Sequence, residues 1–504
     1  MSTAGNLKYC VNNTWKESKT GKFMPVTDSS TGEVIANAPC CTSAEVEEAI
    51  LSAKEAFVTW SNTSVMQRAE LMFKFKAVLD EHLDELSLLV SKELGKNLDE
   101  ARGDVLKAIE VVEVSCGVPS LMQGDSLMNV SNGIDTVMYR ELLGVFVGIV
   151  PFNFPAMIPF GWMIPLCITT GNTFVLKAAS MTPLTSIRML ELLIEAGMPK
   201  GVVNLVTCSR NEAEIFLSHP DVKGISFVGS TDTGKHIYTT AASNGKRVQA
   251  LCEAKNHALV LKDAVLDNTA KAIINSTFGC AGMRCMALPV ICVEEAIADD
   301  LVDLLVRYAK ERRIGCAYDP KTELGPLVSS SHKKFVLDWI EKGIAEGAEL
   351  VLDGRNVVVD GFEDGYFVGP TIFDHVTPEM SIGQEEVFGP VTCIKRVKNF
   401  EDGLTQMNSN RFANGSSIFT QSGYYAREFA KRTHGGMVGI NVGIPVPISV
   451  FPFSGHKDSF FGDLHVMGKD GVSFYTEAKT VTSRWFEESQ KIEMTTWEGT
   501  ISRK

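Results

Sequence analysis

Cys285 lies in the run Phe278-Gly279-Cys280-Ala281-Gly282-Met283-Arg284-Cys285-Met286. A nucleophilic cysteine needs thiolate character and an approach bare enough for a substrate to reach the sulfur. Gly279, Ala281 and Gly282 supply that bareness. Any one of the 12 cysteines, Cys280 above all, also fits as a small buried hydrophobe. Asn153 stands in Val150-Pro151-Phe152-Asn153-Phe154-Pro155. Its amide can donate to a developing oxyanion, a contact whose removal typically costs about 10²–10³ in rate; it equally suits a turn. Phe227-Val228-Gly229-Ser230-Thr231-Asp232-Thr233-Gly234 reads as strand, glycine turn and helix start, an arrangement that presents backbone N–H groups to a pyrophosphate. Glu386-Val387-Phe388-Gly389-Pro390 adds a carboxylate and an aromatic ring. Taken alone, Glu386 is a solvated charge and Phe388 a core residue.

These residues need elements to hold them. Residues 42–116 read as helical, opening on a Thr42/Glu45 capping box. Between 143 and 230, short β-branched runs (GVFVGIV, NTFVLK, GVVNLVT, GISFVG) alternate with helical runs. That alternation predicts a parallel sheet with crossover helices, a Rossmann-type layer. Residues 253–448 repeat the α/β character, and GVSFYTEAKTVTSRW near the end reads as a strand. The fold expected is α/β. The tail after Arg484 is polar and carries no motif.

Composition excludes several classes. At 45% hydrophobic and 22% charged residues, the chain can bury a large core. Its 48 Lys and Arg against 61 Asp and Glu leave a net charge of -13, no footprint for nucleic acid. No segment reads as a secretion signal or membrane span, because the apolar stretch over 143–176 is broken by Pro151, Asn153, Pro155, Pro159, Pro165 and Asn172. Scattered cysteines without a CxxC pair read as reduced thiols, with no metal site and a cytoplasmic location.

Taken together and in order, the four motifs resemble the aldehyde dehydrogenase superfamily over nearly the full length. Within it, the chain is similar to the methylmalonate/malonate-semialdehyde dehydrogenase group. The local matches are PSLMQGD at 119–125, PFNFP, GNTFVLK at 171–177, AKNH at 254–257, RCMA at 284–287, FVGPTIF at 367–373 and PFSGHKDSFFGD at 452–463. The family resemblance that the four motifs carry implies three parts: a cofactor domain of residues 1–121 and 143–252 with 449–470, a catalytic domain of 253–448, and a small β arm pairing 122–142 with 471–486. The arm's open edges seek another subunit, so a homo-oligomer, dimer or tetramer, is expected. The resemblance also implies roles. Cys285 attacks the aldehyde carbonyl, and Asn153 with the Cys285 N–H holds the oxyanion. Hydride leaves to NAD, and a thioester on Cys285 passes to coenzyme A. Lys177 holds the adenosine ribose. Gly229 and Ser230 line the pyrophosphate, and Glu386 holds the nicotinamide ribose with Phe388 beside it. Pro151, Phe152 and Gly234 join the cofactor site. Lys107, Phe154, Arg284 and Phe453 form the substrate site. A substrate with a β-carboxylate would lose it before transfer. The physical logic is general: an aldehyde lacks a leaving group, so hydride loss needs a tetrahedral adduct and an acceptor alongside.

Three departures from the relatives bear on chemistry. Where most aldehyde dehydrogenases place a water-activating glutamate, this chain has Leu251, as the acylating semialdehyde group also lacks the acid. Glu253 stands where relatives have glycine. If the segment is a strand, residues two apart share a face, so Glu253 either restores a general base or is a structural carboxylate. Ser180 replaces the glutamate that repels a 2′-phosphate, which makes NADP acceptable. Lys107 stands for one of two arginines that hold the substrate carboxylate, keeping charge and losing bidentate geometry. That opens the site to other anionic heads, a sulfo-aldehyde among them. The alternatives carried forward are hydrolytic oxidation with Glu253 as base, and a non-catalytic binding protein of the same fold.

Overall fold

Short β-branched runs separated by helices must return by crossovers and lie parallel. In the computed structural model, which describes residues 4–486 and 489, five such strands form the parallel centre of an eight-stranded sheet. Their spatial order is Val203–Val206, Thr173–Lys177, Val145–Ile149, Val222–Val228 and Arg247–Leu251. Each is parallel to its neighbour. The order of winding reverses between Val145–Ile149 and Val222–Val228, and a crevice opens beyond the C-terminal ends of strands at such a reversal. Tyr9–Val11 and Phe460–Gly462 flank the five strands antiparallel. The helix Ser43–Trp60 begins with both capping-box bonds made: Glu45 N–H donates to Thr42 Oγ1, and Thr42 N–H donates to Glu45 Oε2.

A second sheet has seven strands, with His257–Val260 between Val290–Glu294 and Gly415–Phe419. These three strands run parallel, and nearly every residue in them is buried, as expected where helices cover both faces. The helix Leu266–Phe278 leads from this sheet into the Gly279–Gly282 turn and on to Cys285.

A third, three-stranded sheet pairs Thr476–Arg484 with Ile134–Leu142 along its whole length, and that strand with Ser126–Ser131. Leu127, Met128, Tyr139 and Val481 are exposed on it. The structure corrects the strand expected from residue 471. Gly468–Phe474 is a helix and the strand begins at Thr476. Phe474 and Tyr475 both pack their rings on Phe146, 5.6 and 4.9 Å away, and adjacent strand residues could not face one ring.

The broken apolar stretch folds into a wholly buried π-helical segment, Ile158–Met163, continuing as the helix Ile164–Thr170. Among the described residues, no helix is long and apolar enough to cross a membrane. The polar tail lies outside the described residues beyond Phe486, Ser489 excepted.

Candidate active site

The turn before Cys285 is held in an unusual shape. Cys280 and Ala281 adopt φ of 52° and 50°, and Cys280 N–H donates to Glu100 Oε1 at 2.7 Å. Gly282 also has positive φ, and a Cβ there would stand 2.0 Å from the Gly389 carbonyl oxygen. Only glycine allows that approach, so the cysteine motif and the Glu386 motif interlock through backbone. Cys285 itself is partly buried. Its carbonyl accepts from the side-chain amides of Asn256 (2.8 Å) and Asn414 (3.1 Å). Burial first, and the Glu386 carboxylate second, push its thiol up to about 12, while Lys96 and Arg284 work against the rise.

Asn153 is buried, and its Nδ2 donates to the Met283 carbonyl at 3.2 Å. The amide therefore sits on the nucleophile loop, two residues before Cys285, with one further N–H to give. Glu386 accepts the Ala254 N–H at 3.0 Å. Burial raises its carboxyl to about 8, with Glu253 adding to the rise. Phe388 carries φ of 55°. His332 Nε2 lies 2.8 Å from its carbonyl oxygen, and the Phe152 ring meets both Phe388 and His332 edge-on, 5.9 and 5.8 Å away.

Two spaces meet at Cys285. A narrow cleft is lined by Cys285, Ala254, Glu386 and Phe388. A cavity of about 220 Å³ is lined by Cys285, Lys107, Phe154, Arg284 and Phe453, with Glu100, Trp162 and Met286. All four residues expected at the substrate site are thus brought together, but its two cations arrive engaged. Lys107 Nζ lies 2.7 Å from Glu110 Oε2, and Glu110 Oε1 accepts the Ser449 N–H and hydroxyl. Arg284 donates to the carbonyls of Gly279 and Asn275.

A separate cavity of about 300 Å³ opens at the switch in strand order, lined by Pro151, Lys177, Gly229 and Ser230 with Arg210, Glu214 and His236. The position beyond the strand ends, the bare Gly229 turn and the first turn of the helix Thr231–Ser243 fit a dinucleotide. Of the other expected cofactor residues, Glu386 and Phe388 line the cleft at Cys285 instead, and Phe152, Ser180 and Gly234 line neither space. Ser180 is buried. Gly234 serves packing instead, since a Cβ there would stand 2.3 Å from Cys252 Sγ.

The shared strand face expected for Leu251 and Glu253 is not formed. The strand ends at Leu251, which is buried. Beyond it the Glu253 carboxylate accepts the Thr231 N–H at 2.9 Å, and Glu253 lines neither space at Cys285. Reading the sequence missed Glu100, Lys96, His332, Arg210 and Asn414. Asn256 alone carried a signal, inside the AKNH match.

The model of the aldehyde dehydrogenase family matches residues 15–481. Malonate-semialdehyde dehydrogenase 2 of Bacillus thuringiensis (strain Al Hakam) is 49% identical over 486 residues, 96% of this chain and 99% of the relative. Malonate-semialdehyde dehydrogenase of Bacillus pumilus (strain SAFR-032) is 47% identical over 479 residues, 95% of this chain and 98% of its own. A Sinorhizobium meliloti 1021 structure, assigned as a methylmalonate-semialdehyde dehydrogenase and complexed with NAD, superposes with a TM-score of 0.95 at 39% identity, covering 97% of this chain and 100% of that one. The methylmalonate-semialdehyde dehydrogenase of Oceanimonas doudoroffii gives 0.94 at 41% identity, covering 96% and 99%.

Proposed function

The chain belongs to the aldehyde dehydrogenase family, and we propose that it oxidises a short acidic semialdehyde of the malonate or methylmalonate type with NAD and passes the acyl group to coenzyme A. One observation carries the reading: Cys285 lines both the cleft that holds Glu386 and the cavity that holds Lys107 and Arg284. A thiol at that junction can face an anionic aldehyde on one side and a dinucleotide's reactive end on the other. The names of the relatives, malonate- and methylmalonate-semialdehyde dehydrogenases, support the substrate class.

Cys285 gives its thiol proton to solvent and adds as thiolate through Sγ to the aldehyde carbon, and the carbonyl π pair moves to oxygen. Asn153 Nδ2 and the Cys285 N–H donate to that oxyanion, fixed dipoles placed where charge develops. NAD, when bound, would supply the hydride acceptor that turns the adduct into a thioester on Cys285. Lys177 and the Gly229-Ser230 turn would hold its adenosine and pyrophosphate ends, and Glu386 its nicotinamide ribose. Lys107 and Arg284 take the substrate carboxylate. Release of the acyl group needs a nucleophile. Water requires a base, a roughly 10²–10⁴-fold effect, and neither Leu251 nor Glu253 offers one at Cys285. A thiol, partly ionised near neutrality, depends less on such a base. Coenzyme A therefore takes the acyl group and Cys285 leaves as thiolate. The three-stranded sheet, with its exposed apolar residues, joins copies of the chain into a homo-oligomer.

Product analysis with malonate semialdehyde, with and without coenzyme A, tests this. Expected is a burst of one NADH per active site and slow turnover without coenzyme A, then fast turnover to acetyl-CoA and carbon dioxide with it. Fast steady formation of a free acid without coenzyme A overturns the acylating reading.

A further inference from the structure

The loop after the strand Arg247–Leu251 is pinned by Ser459. Cys252 N–H donates to the Ser459 carbonyl at 2.8 Å, and Ser459 Oγ donates to the Glu253 carbonyl at 2.7 Å. From this fixed backbone the Glu253 side chain reaches the first turn of the helix Thr231–Ser243, where Oε2 accepts the Thr231 N–H. Ser230, at the N-cap, does not cap that turn; its hydroxyl donates to Thr233 Oγ1 at 2.9 Å instead. Gly229, Ser230 and Thr233 also line the cavity at the strand-order switch. A carboxylate is favourable at the positive end of a helix, and so is a phosphate, for the same reason and on the same N–H groups.

We infer that Glu253 is an internal counter-charge at the helix end that faces the dinucleotide pyrophosphate, lowering the affinity of the cofactor cavity and easing dinucleotide release. The inference rests on the proposed use of that cavity. Thr231 is buried and neither it nor Glu253 borders the cavity, so Glu253 acts through charge: it offsets the positive helix end behind Gly229, Ser230 and Thr233 and opposes the incoming anion. Glu386 and Arg411 both stand within charge range of Glu253. Arg411 is already paired with Glu385 (2.7 Å) and faces Asp458 (3.7 Å). For an enzyme whose thioester waits on a second large cosubstrate, a weakly held dinucleotide clears the site sooner.

Calorimetric titration with ADP-ribose, which has the pyrophosphate, and adenosine, which lacks it, tests the inference without turnover. Glu253→Gly should tighten ADP-ribose about five- to tenfold, the size of a helix-end charge effect, and leave adenosine unchanged. Glu253→Gln, which keeps an acceptor oxygen and drops the charge, should fall between. Equal ADP-ribose affinity in all three proteins, or equal gains for both ligands, overturns the inference while leaving the cavity's use intact. Failure of ADP-ribose to bind any of them overturns both.

Discussion

The Nζ of Lys96 lies 3.3 Å from the centre of the Phe154 ring. It also lies 3.0 Å from Asp104 Oδ2, with both side chains out of solvent. The other Asp104 oxygen accepts the Met157 N–H at 2.8 Å. The segment that carries Asn153 is thus hung on a buried ion pair, by an aromatic face at one residue and a backbone bond at another. Removing one partner of a buried pair typically costs about 3–5 kcal/mol, because the other charge is left uncompensated. Lys96→Met should lower the melting temperature and cut kcat at least about tenfold. Asp104→Asn keeps an acceptor for Met157 and should cost less of both. Calorimetric unfolding and steady-state rates check this. Unchanged rates in a folded Lys96→Met protein would detach the pair from Asn153.

The motifs around Cys285, Asn153, Gly229 and Glu386 were legible because local geometry writes itself into residue type. Gly282 must be glycine to meet the Gly389 carbonyl, and the strand–helix alternation alone implies the parallel sheet. Lys96, Glu100 and His332 were not legible, because each works through a partner far off in sequence. The Glu100 bond to Cys280 spans 180 residues, and nothing near Glu100 announces it. For Glu253 the sequence left two readings open, general base or structural carboxylate. The first needs a shared strand face, and a period of two holds only inside a strand, which ends two residues earlier.

We expect cofactor choice to turn on Arg210 more than on Ser180. Ser180 is buried, whereas Arg210 lines the dinucleotide cavity with its side chain 69% exposed and its nearest carboxylate, Glu214, at 4.0 Å. An exposed guanidinium there can meet a 2′-phosphate. We expect NAD to be used and NADP to be accepted. Arg210→Ala should lower kcat/KM for NADP severalfold with a smaller change for NAD. Equal losses for both dinucleotides would remove Arg210 from the selection.

The thiol of Cys285 and the carboxyl of Glu386 are both raised by burial, to about 12 and about 8. Below its pKa a thiol gains thiolate about tenfold per pH unit, so alkylation of Cys285 by iodoacetamide should accelerate from pH 7 to 10. Ionisation of Glu386 near pH 8 places a negative charge beside the sulfur and should flatten the rise. Glu386→Gln removes that charge and should shift the alkylation profile to lower pH. A shift to higher pH would mean that Glu386 assists the thiolate. Cys285→Ala should abolish dehydrogenase activity, and Cys280→Ala should keep most of it.

The substrate charge is best tested at Lys107 and its partner together. Lys107 is 35% exposed on its side chain and shares Glu110 with Ser449. A desolvated charge contact is worth roughly 2–5 kcal/mol, and partial exposure reduces that. Lys107→Ala should therefore raise KM for an acidic aldehyde about tenfold and leave KM for propanal nearly unchanged. Glu110→Gln works in the opposite direction. Its amide oxygen still accepts from Ser449, so the loop over the cavity keeps its tie, while Lys107 loses its internal counter-charge. KM for the acidic aldehyde should then fall, and propanal again serves as the control. If both variants raise KM for charged and neutral aldehydes alike, Lys107 and Glu110 form a brace for the Ser449 loop, and the substrate carboxylate rests on Arg284 alone.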